Sequence, residues 1–312
     1  MGRPLVSVIT ATYNSSRTLQ LTLSSLVAQT FQDWEAWVIG DGCTDDSARV
    51  VESFRDPRLH WVNLDHNHGS QAFANNEGLR RANGSYVAYL GHDDLWMPNH
   101  LAELVRCIEA YSADLVHSIC ALLSRDGWSG CVGPPKDHLG YDCHFVPPSC
   151  WLHRREIVES VGFWSSPLDI AVPVDVEYLR RIARAKKKIA CCPQLTVVKT
   201  PSWWVSLYSS QNDLPQEACW KKIQSDPNAF LLEISGPMAL ALAKLQAGGY
   251  DSFGTSCRNI AGIIKRNFRA ITEKWPGFAS FWRWRHQLAR KRMAAKRGLE
   301  MNSSGQMKPL SG

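Results

Sequence analysis

The chain has 312 residues, 45% of them hydrophobic and 21% charged, with a formal net charge of +6. That is enough apolar material for one large domain, or a medium domain with an appendage, and too little bias for a fibrous or wholly disordered chain. The longest apolar stretch, Phe230 to Leu245, is interrupted by Glu233, Gly236, Pro237 and Lys244, and a strand begins within a few residues of Met1; a cytoplasmic protein without a membrane span or signal peptide is expected.

Leu5 to Thr10 is a β-branched apolar run that reads as a buried strand. Asn14, Ser15 and Ser16 offer a helix N-cap, and Leu19, Leu23, Leu26 and Val27 follow at helical spacing. Trp34 to Ile39 is the second strand, ending at Gly40-Asp41-Gly42, and Thr44 or Asp45 caps a helix through Phe54. Asp56-Pro57-Arg58 turns the chain into a third strand, Leu59 to Leu64. Ser70 opens a helix that Asn83-Gly84 closes, and Tyr86 to Leu90 is the fourth strand. This alternation predicts an α/β fold with a mostly parallel sheet, flanked by helices and joined by right-handed crossovers. Ligands of such sheets bind beyond the carboxyl ends of the strands, where Thr12, Asp41, Gly69 and Asp93 all fall.

Further along, Pro98 starts a helix to about Tyr111, Leu115 to Leu123 reads as a strand, and Asp126 to Tyr141 as a loop rich in Gly, Pro and His. Pro147 to Leu152 leads into a helix from about Arg154; Asp175 opens another to about Ala185, with a strand through Val198 behind it. Beyond Tyr208 the patterns are all helical: Pro215 to Ile223, Ala229 to Leu245, Cys257 to Ile271 and Pro276 to Ala295. A boundary near residue 205 would separate a nucleotide-binding domain, 1–205, from a helical C-terminal extension, 206–312. From Arg258 onward there are 13 Lys and Arg against 2 Asp and Glu, a balance of +11, while the rest carries −5. With Phe278, Phe281, Trp282 and Leu288 interspersed, this basic tail suits a helix on an anionic membrane surface, or equally a solvated helix with a docked apolar face. No nucleic acid is expected, because no reading motif accompanies the charge.

The ten cysteines include no C-x-x-C pair and read as reduced and mostly buried. Cys131, His138, Cys143, His144 and Cys150 fit no common zinc spacing and read as incidental.

The stretch Leu90-Gly91-His92-Asp93-Asp94 carries the most chemistry. Adjacent carboxylates at a strand exit repel one another unless a cation lies beside them. A divalent metal carrying a diphosphate would supply one, and a solvated turn is the plain alternative.

Three stretches in this order, Val6-Ser7-Val8-Ile9-Thr10-Ala11-Thr12-Tyr13-Asn14, then Val38-Ile39-Gly40-Asp41-Gly42-Cys43-Thr44-Asp45-Asp46, then Gly91-His92-Asp93-Asp94, resemble the opening motifs of family 2 glycosyltransferases with the GT-A fold. The resemblance spans about the first two thirds of the chain. It implies inverting transfer of a sugar from a nucleoside diphosphate sugar of the UDP or GDP type to a saccharide or glycolipid hydroxyl, in surface polysaccharide or glycolipid assembly. It also implies that Asp41 accepts a hydrogen bond from the base, that Thr12 and Tyr13 line the nucleoside pocket, that Asp93 reaches the ribose and that Asp94 holds Mn²⁺ or Mg²⁺.

Asn67-x-Gly69 with Ala74-Asn75-Asn76 and Gly78 resembles a segment that usually contains Ala-Arg-Asn; Gly69 and Asn76 are donor-side candidates, and Asn75 stands where Arg is usual. His92 stands where many relatives are acidic. Asp175, heading Val174-Asp175-Val176-Glu177-Tyr178-Leu179-Arg180-Arg181, resembles the Asp before the family's acceptor-side helix and is the candidate general base, with Glu177 in reserve. Helix capping explains an Asp there equally well; the order of the motifs favours catalysis. Arg181 is expected to pair with an acid or the diphosphate or to stand as a solvated helix residue, and Trp151 to wall a sugar ring or, as the default, to fill the core.

Gly40, Asn75 and Val174 depart from the family pattern and keep open an inert nucleotide-sugar-binding scaffold. A sugar nucleotidyltransferase ranks last, since Thr12-Tyr13-Asn14-Ser15-Ser16 lacks a Gly-rich loop with Arg or Lys.

Overall fold

The computed structural model of the chain describes residues 2–124, 127–135, 140–142, 144–200 and 214–247, then 284, 287–288, 290–291, 294–295, 299–302 and 307–309. The apolar, β-branched runs of the first half form β1 (Val6–Thr12), β2 (Trp34–Gly40), β3 (Leu59–Asn63) and β4 (Tyr86–Tyr89). Between them lie α1 (Ser16–Val27), α2 (Ser47–Ser53) and α3 (Gln71–Arg81). All four strands run parallel, β2 between β3 and β1, and β1 between β2 and β4. Leu19, Leu23 and Leu26 recur on one face of α1 and are fully buried, which is what fixes that helix to the sheet.

The caps differ in detail from those expected. Ser70 caps α3, its Oγ accepting from Ala72 N at 3.3 Å. The side chain of Ser15 makes no cap bond on α1. Asp45 caps both neighbouring helices instead: Oδ2 accepts from Ser16 N at 2.9 Å and Oδ1 from Ser47 N at 3.1 Å.

The second half continues with β5 (Leu95–Trp96), α4 (His100–Ala110), β6 (Leu115–Ser124), β7 (Gly127–Val132), β8 (Trp151–Arg154), α5 (Ile157–Val161), α6 (Val174–Arg184) and β9 (Ile189–Lys199). Among the described residues, nine strands form one sheet in the order β3-β2-β1-β4-β8-β6-β9-β5, with β7 on β6. Two of these strands correct the sequence reading. β7 occupies part of the expected Gly-rich loop, held by antiparallel pairing with β6. β8 stands where a lead-in to a helix was expected, wedged antiparallel between β4 and β6. A four-residue strand has almost no local signature; its neighbours create it.

Two helices follow, α7 (Pro215–Ser225) and α8 (Pro227–Ala247). They carry Cys219, Trp220, Ile223, Phe230, Ile234 and Met238 onto Leu95, Met97, Ala121, Leu123 and Val198, so the helices share an apolar core with the sheet rim. The proposed boundary at residue 205 and the helix expected at 257–271 lie outside the described residues, as does much of the 276–295 helix. The C-terminal segment is not wholly helical as expected: β10 (Leu299–Met301) and β11 (Met307–Pro309) pair antiparallel. Among the described residues no helix is long and apolar enough to cross a membrane.

The cysteines need a further correction. Cys107 on α4 and Cys192 on β9 form a disulfide, their Cα atoms 5.8 Å apart across a packed helix and strand. As alternation along a strand requires, Cys192 is buried while its neighbour Cys191 is partly exposed on the other face.

Candidate active site

Parallel pairing brings the ends of β1, β2 and β4 to one rim. Thr12 pairs with Gly40, and Asp41 N donates to Thr12 O at 2.8 Å. The Asp41 carboxylate is buried and accepts from His68 N at 3.0 Å, His68 Nδ1 at 2.9 Å and Gly69 N at 3.0 Å. Burial pushes its pKa up, and the bonds from His68 and Gly69 oppose that rise. Thr12 is buried with its Oγ1 unpartnered, and Tyr13 beside it is half-buried. His92 is tied back to the end of β1, its Nδ1 donating to Ala11 O at 3.1 Å.

Gly69 has φ +66, the left-handed region, and a Cβ there would sit 2.4 Å from Met307 Cγ. The close neighbour comes from the far end of the chain. Met307 N donates to Asn67 O at 3.0 Å, and Arg290 Nη2 to Gly69 O at 3.0 Å, so the C-terminal segment lies on the loop that meets Asp41. Asn76 is placed differently from a free donor-side amide. Its Nδ2 donates to Trp164 O at 2.9 Å and its Oδ1 accepts from Trp164 N at 2.8 Å, which commits both ends of the side chain. Asn75 is buried with Nδ2 unpartnered.

The acidic pair follows β4 in a turn closed by Asp94 N to Gly91 O at 3.0 Å. Asp94 is fully buried. Its Oδ1 accepts from Lys199 Nζ at 3.0 Å and from Thr200 N at 3.0 Å; its Oδ2 accepts from Ser149 Oγ. Lys199 Nζ also lies 3.8 Å from Asp93 Oδ1. Burial, together with the charge of Asp93, pushes Asp94 up to about 6 against the pull of Lys199, Ser149 and Thr200. Burial alone would lower Lys199, but the Asp94 and Asp93 carboxylates outweigh it and hold the ammonium above its ordinary range.

Asp175 stands in the first turn of α6, Oδ1 accepting from Val176 N at 2.8 Å. Burial raises its pKa, opposed by backbone N–H groups and by the charge of Lys199. One ammonium therefore acts on three carboxylates, Asp93, Asp94 and Asp175, from two segments about 80 residues apart. Glu177 is engaged by Arg181, with Nη2 to Oε2 at 2.9 Å, and Arg181 also donates to Phe163 O. Trp151 is fully buried and belongs to the core, stacked at 6.0 Å on Trp164, which in turn stacks on Tyr178 at 4.7 Å. That aromatic column seats α6 beside the sheet.

The sequence reading did not reach Lys199, Ser149, His68 or Trp164. A basic residue at the end of a predicted strand was the available signal for Lys199; nothing in one sequence pairs it with an Asp 105 positions away.

The donor set decides how a divalent ion fits. Both oxygens of Asp94 are taken by an ammonium, a backbone N–H and a hydroxyl, so Mn²⁺ or Mg²⁺ held by Asp94 does not fit the arrangement. Elsewhere among the described residues, Asp65, His66 and His68 bring ligand atoms within 4.8 Å of one another.

Residues 7–129 match the profile of glycosyl transferase family 2. The putative teichuronic acid biosynthesis glycosyltransferase TuaG of Bacillus subtilis is 34% identical over 127 residues, 40% of this chain and 50% of that protein. The UDP-Glc:alpha-D-GlcNAc-diphosphoundecaprenol beta-1,3-glucosyltransferase WfgD of Escherichia coli is 35% identical over 97 residues, 31% of this chain and 38% of that one. The chain thus spans half or less of the length of these curated relatives.

Among solved structures, TarS 1-349 of S. aureus superposes with a TM-score of 0.55 at 16% identity, covering 97% of this chain and 96% of that one. The mannosyltransferase PcManGT of Pyrobaculum calidifontis, solved with GDP-Man and Mn²⁺, gives 0.52 at 19% identity, covering 93% and 86%. The architecture is the GT-A fold. Residues 7–129 are thus similar to glycosyl transferase family 2.

Proposed function

We propose that this protein is an inverting glycosyltransferase that moves a sugar from a nucleoside diphosphate sugar to an acceptor hydroxyl. The observation that carries the reading is that Asp41 and the Asp93–Asp94 pair follow the carboxyl ends of parallel strands on either side of β1, while Asp93, Asp94 and Asp175 all feel the charge of one ammonium. Asp41, Thr12, Tyr13 and Gly69 take the nucleoside, and Asp93 the ribose. Asp175 removes the proton from the acceptor oxygen, which attacks the anomeric carbon on the face opposite the departing diphosphate. Its raised pKa makes it a stronger base than an exposed carboxylate. One displacement inverts the configuration.

The donor is of the UDP or GDP type, as in the neighbours solved with UDP-GlcNAc and with GDP-Man. WfgD, whose name gives a diphosphoundecaprenol-linked sugar as acceptor, supports a saccharide or glycolipid acceptor in surface polysaccharide assembly. On this reading the protein works at the cytoplasmic face of a membrane, its basic tail on anionic lipid, with the transferase domain ending near residue 205. On this reading Asp94, already engaged by Lys199 and Thr200, does not hold Mn²⁺ or Mg²⁺.

The test is turnover of a panel of UDP- and GDP-sugars with polyprenyl-diphosphate-linked and free saccharide acceptors. Asp175→Asn is expected to lower transfer by about a hundredfold or more while nucleotide binding and the thermal midpoint hold. Transfer at the wild-type rate in that variant rules out Asp175 as the base. Nucleotide binding without turnover of any donor by the wild type returns the scaffold reading.

A further inference from the structure

Antiparallel pairing of β5 with β9 sets Leu95 opposite Val198. Continued by one residue, that register sets Asp94 opposite Lys199, so their meeting is built into the sheet. Asp94 is 0% exposed, and its two oxygens receive Lys199 Nζ, Thr200 N and Ser149 Oγ. Divalent ions of this class keep several waters and demand several oxygens at short range. A carboxylate with no exposed surface and three donors already on it offers neither.

Lys199 is placed differently. Its side chain retains 17% exposure, and its ammonium hydrogen-bonds to Asp94 Oδ1 at 3.0 Å and Thr200 O at 3.2 Å. An ammonium has three N–H donors, so one remains beyond these two bonds. It stands 3.8 Å from Asp93, the residue read here as facing the ribose, and acts electrostatically on Asp175. A compact point charge of this kind is a well-suited partner for a phosphate oxygen.

We infer that Lys199 is the resident cation of the acidic pair: it takes the place of a divalent ion on Asp94 and presents its remaining N–H to the donor diphosphate. This rests on the donor-site reading above. Donor binding in this protein then needs no divalent ion on Asp94. Lys199 also neutralises Asp94, which lets two adjacent carboxylates persist at the site.

The experiment uses the full chain stripped with a chelator. Mn²⁺ is titrated with free ion followed by electron paramagnetic resonance, and UDP and GDP are titrated calorimetrically with and without Mn²⁺. The wild type is expected to bind nucleotide equally in both conditions and to show no Mn²⁺ site that Asp94→Asn removes. Lys199→Ala is expected to acquire such a site, to bind nucleotide about tenfold more weakly without metal, and to recover with Mn²⁺.

Should Lys199→Ala fail to fold, Asp94→Asn with Lys199→Met removes both charges of the Asp94–Lys199 pair together. It is then expected to bind nucleotide about tenfold more weakly than Asp94→Asn alone, with or without Mn²⁺. A stoichiometric Mn²⁺ site in the wild type that Asp94→Asn abolishes overturns the inference. So does nucleotide binding that vanishes in chelator and returns with Mn²⁺, or unchanged affinity once Lys199 is replaced. If no nucleotide binds under any condition, the donor-site reading has failed. Mn²⁺ uptake by Lys199→Ala but not by wild type, at a site that Asp94→Asn abolishes, still supports Lys199 as the cation of the pair, and equal uptake by both at such a site refutes it.

Discussion

Gly91 shows how closely the acidic turn is folded. A Cβ placed there would lie 2.6 Å from Asp94 Oδ2 and 3.3 Å from Asp93 Oδ1, because both carboxylates turn back over it. Gly91 N is also a donor to Ser149 Oγ at 3.0 Å, so the backbone has little room to yield. Gly91→Ala is expected to cost about 1–3 kcal/mol in urea unfolding, as overpacking of a buried site does. It should also weaken nucleotide binding, since Asp93 and Asp94 must move apart to admit the methyl group. An alanine variant with unchanged unfolding and nucleotide affinity contradicts the packing described for this turn.

At the scale of elements, Asp45 joins two helices. One oxygen caps α1 at Ser16 and the other caps α2 at Ser47, where it also accepts from Ser47 Oγ at 2.6 Å. A single capping side chain contributes about 0.5–2 kcal/mol. Because Asp45→Ala frays two helix starts at once, the expected loss in urea unfolding lies near the top of that range. Ser70→Ala, which removes the cap of α3 only, is the control and should lose about half as much. Both helices capped by Asp45 begin beside the loops that carry Tyr13 and Asp41, so Asp45→Ala should weaken nucleotide binding more than Ser70→Ala does.

Among the described residues three histidines are deeply buried, His100 in α4, His117 in β6 and His153 in β8. Burial pushes them down to about 3, 4 and 4 respectively. In the unfolded chain these rings take up protons from near 6.5 downward, whereas in the native protein they stay neutral to about pH 4. The unfolded state then binds more protons, and stability falls as pH drops below 6.5. Asp94 acts in the opposite sense. It is protonated near pH 6 when folded but near 3.8 when unfolded, so acidification through that window favours the native state by one proton. Asp41 and Asp175, which burial also raises, act in the same sense as Asp94; the three rings are expected to outweigh these carboxylates, with a loss of about 1.4 kcal/mol per pH unit for each excess proton. The urea midpoint is expected to fall steadily from pH 7 to pH 5. His153→Gln should make that slope shallower; a slope unchanged by it, or a midpoint rising on acidification, contradicts the assignment.

The local order of the first half was legible from residue pattern alone. Val6 to Thr12, Trp34 to Gly40 and Tyr86 to Tyr89 are strands because β-branched and aromatic runs between turn residues have few other ways to bury themselves. Once these strands are parallel, Thr12, Asp41 and Asp93 must share a rim, and the ordered motifs resemble the family whose profile residues 7–129 match. Tertiary structure decided what distance along the chain hides: β8 as a strand, Met307 and Arg290 on the Gly69 loop, Cys107 against Cys192, and Lys199 against Asp94. Periodicity reports which face of an element is apolar. It carries no record of which distant partner completes that face, and a charge is answered by whichever opposite charge the fold brings within a few ångströms.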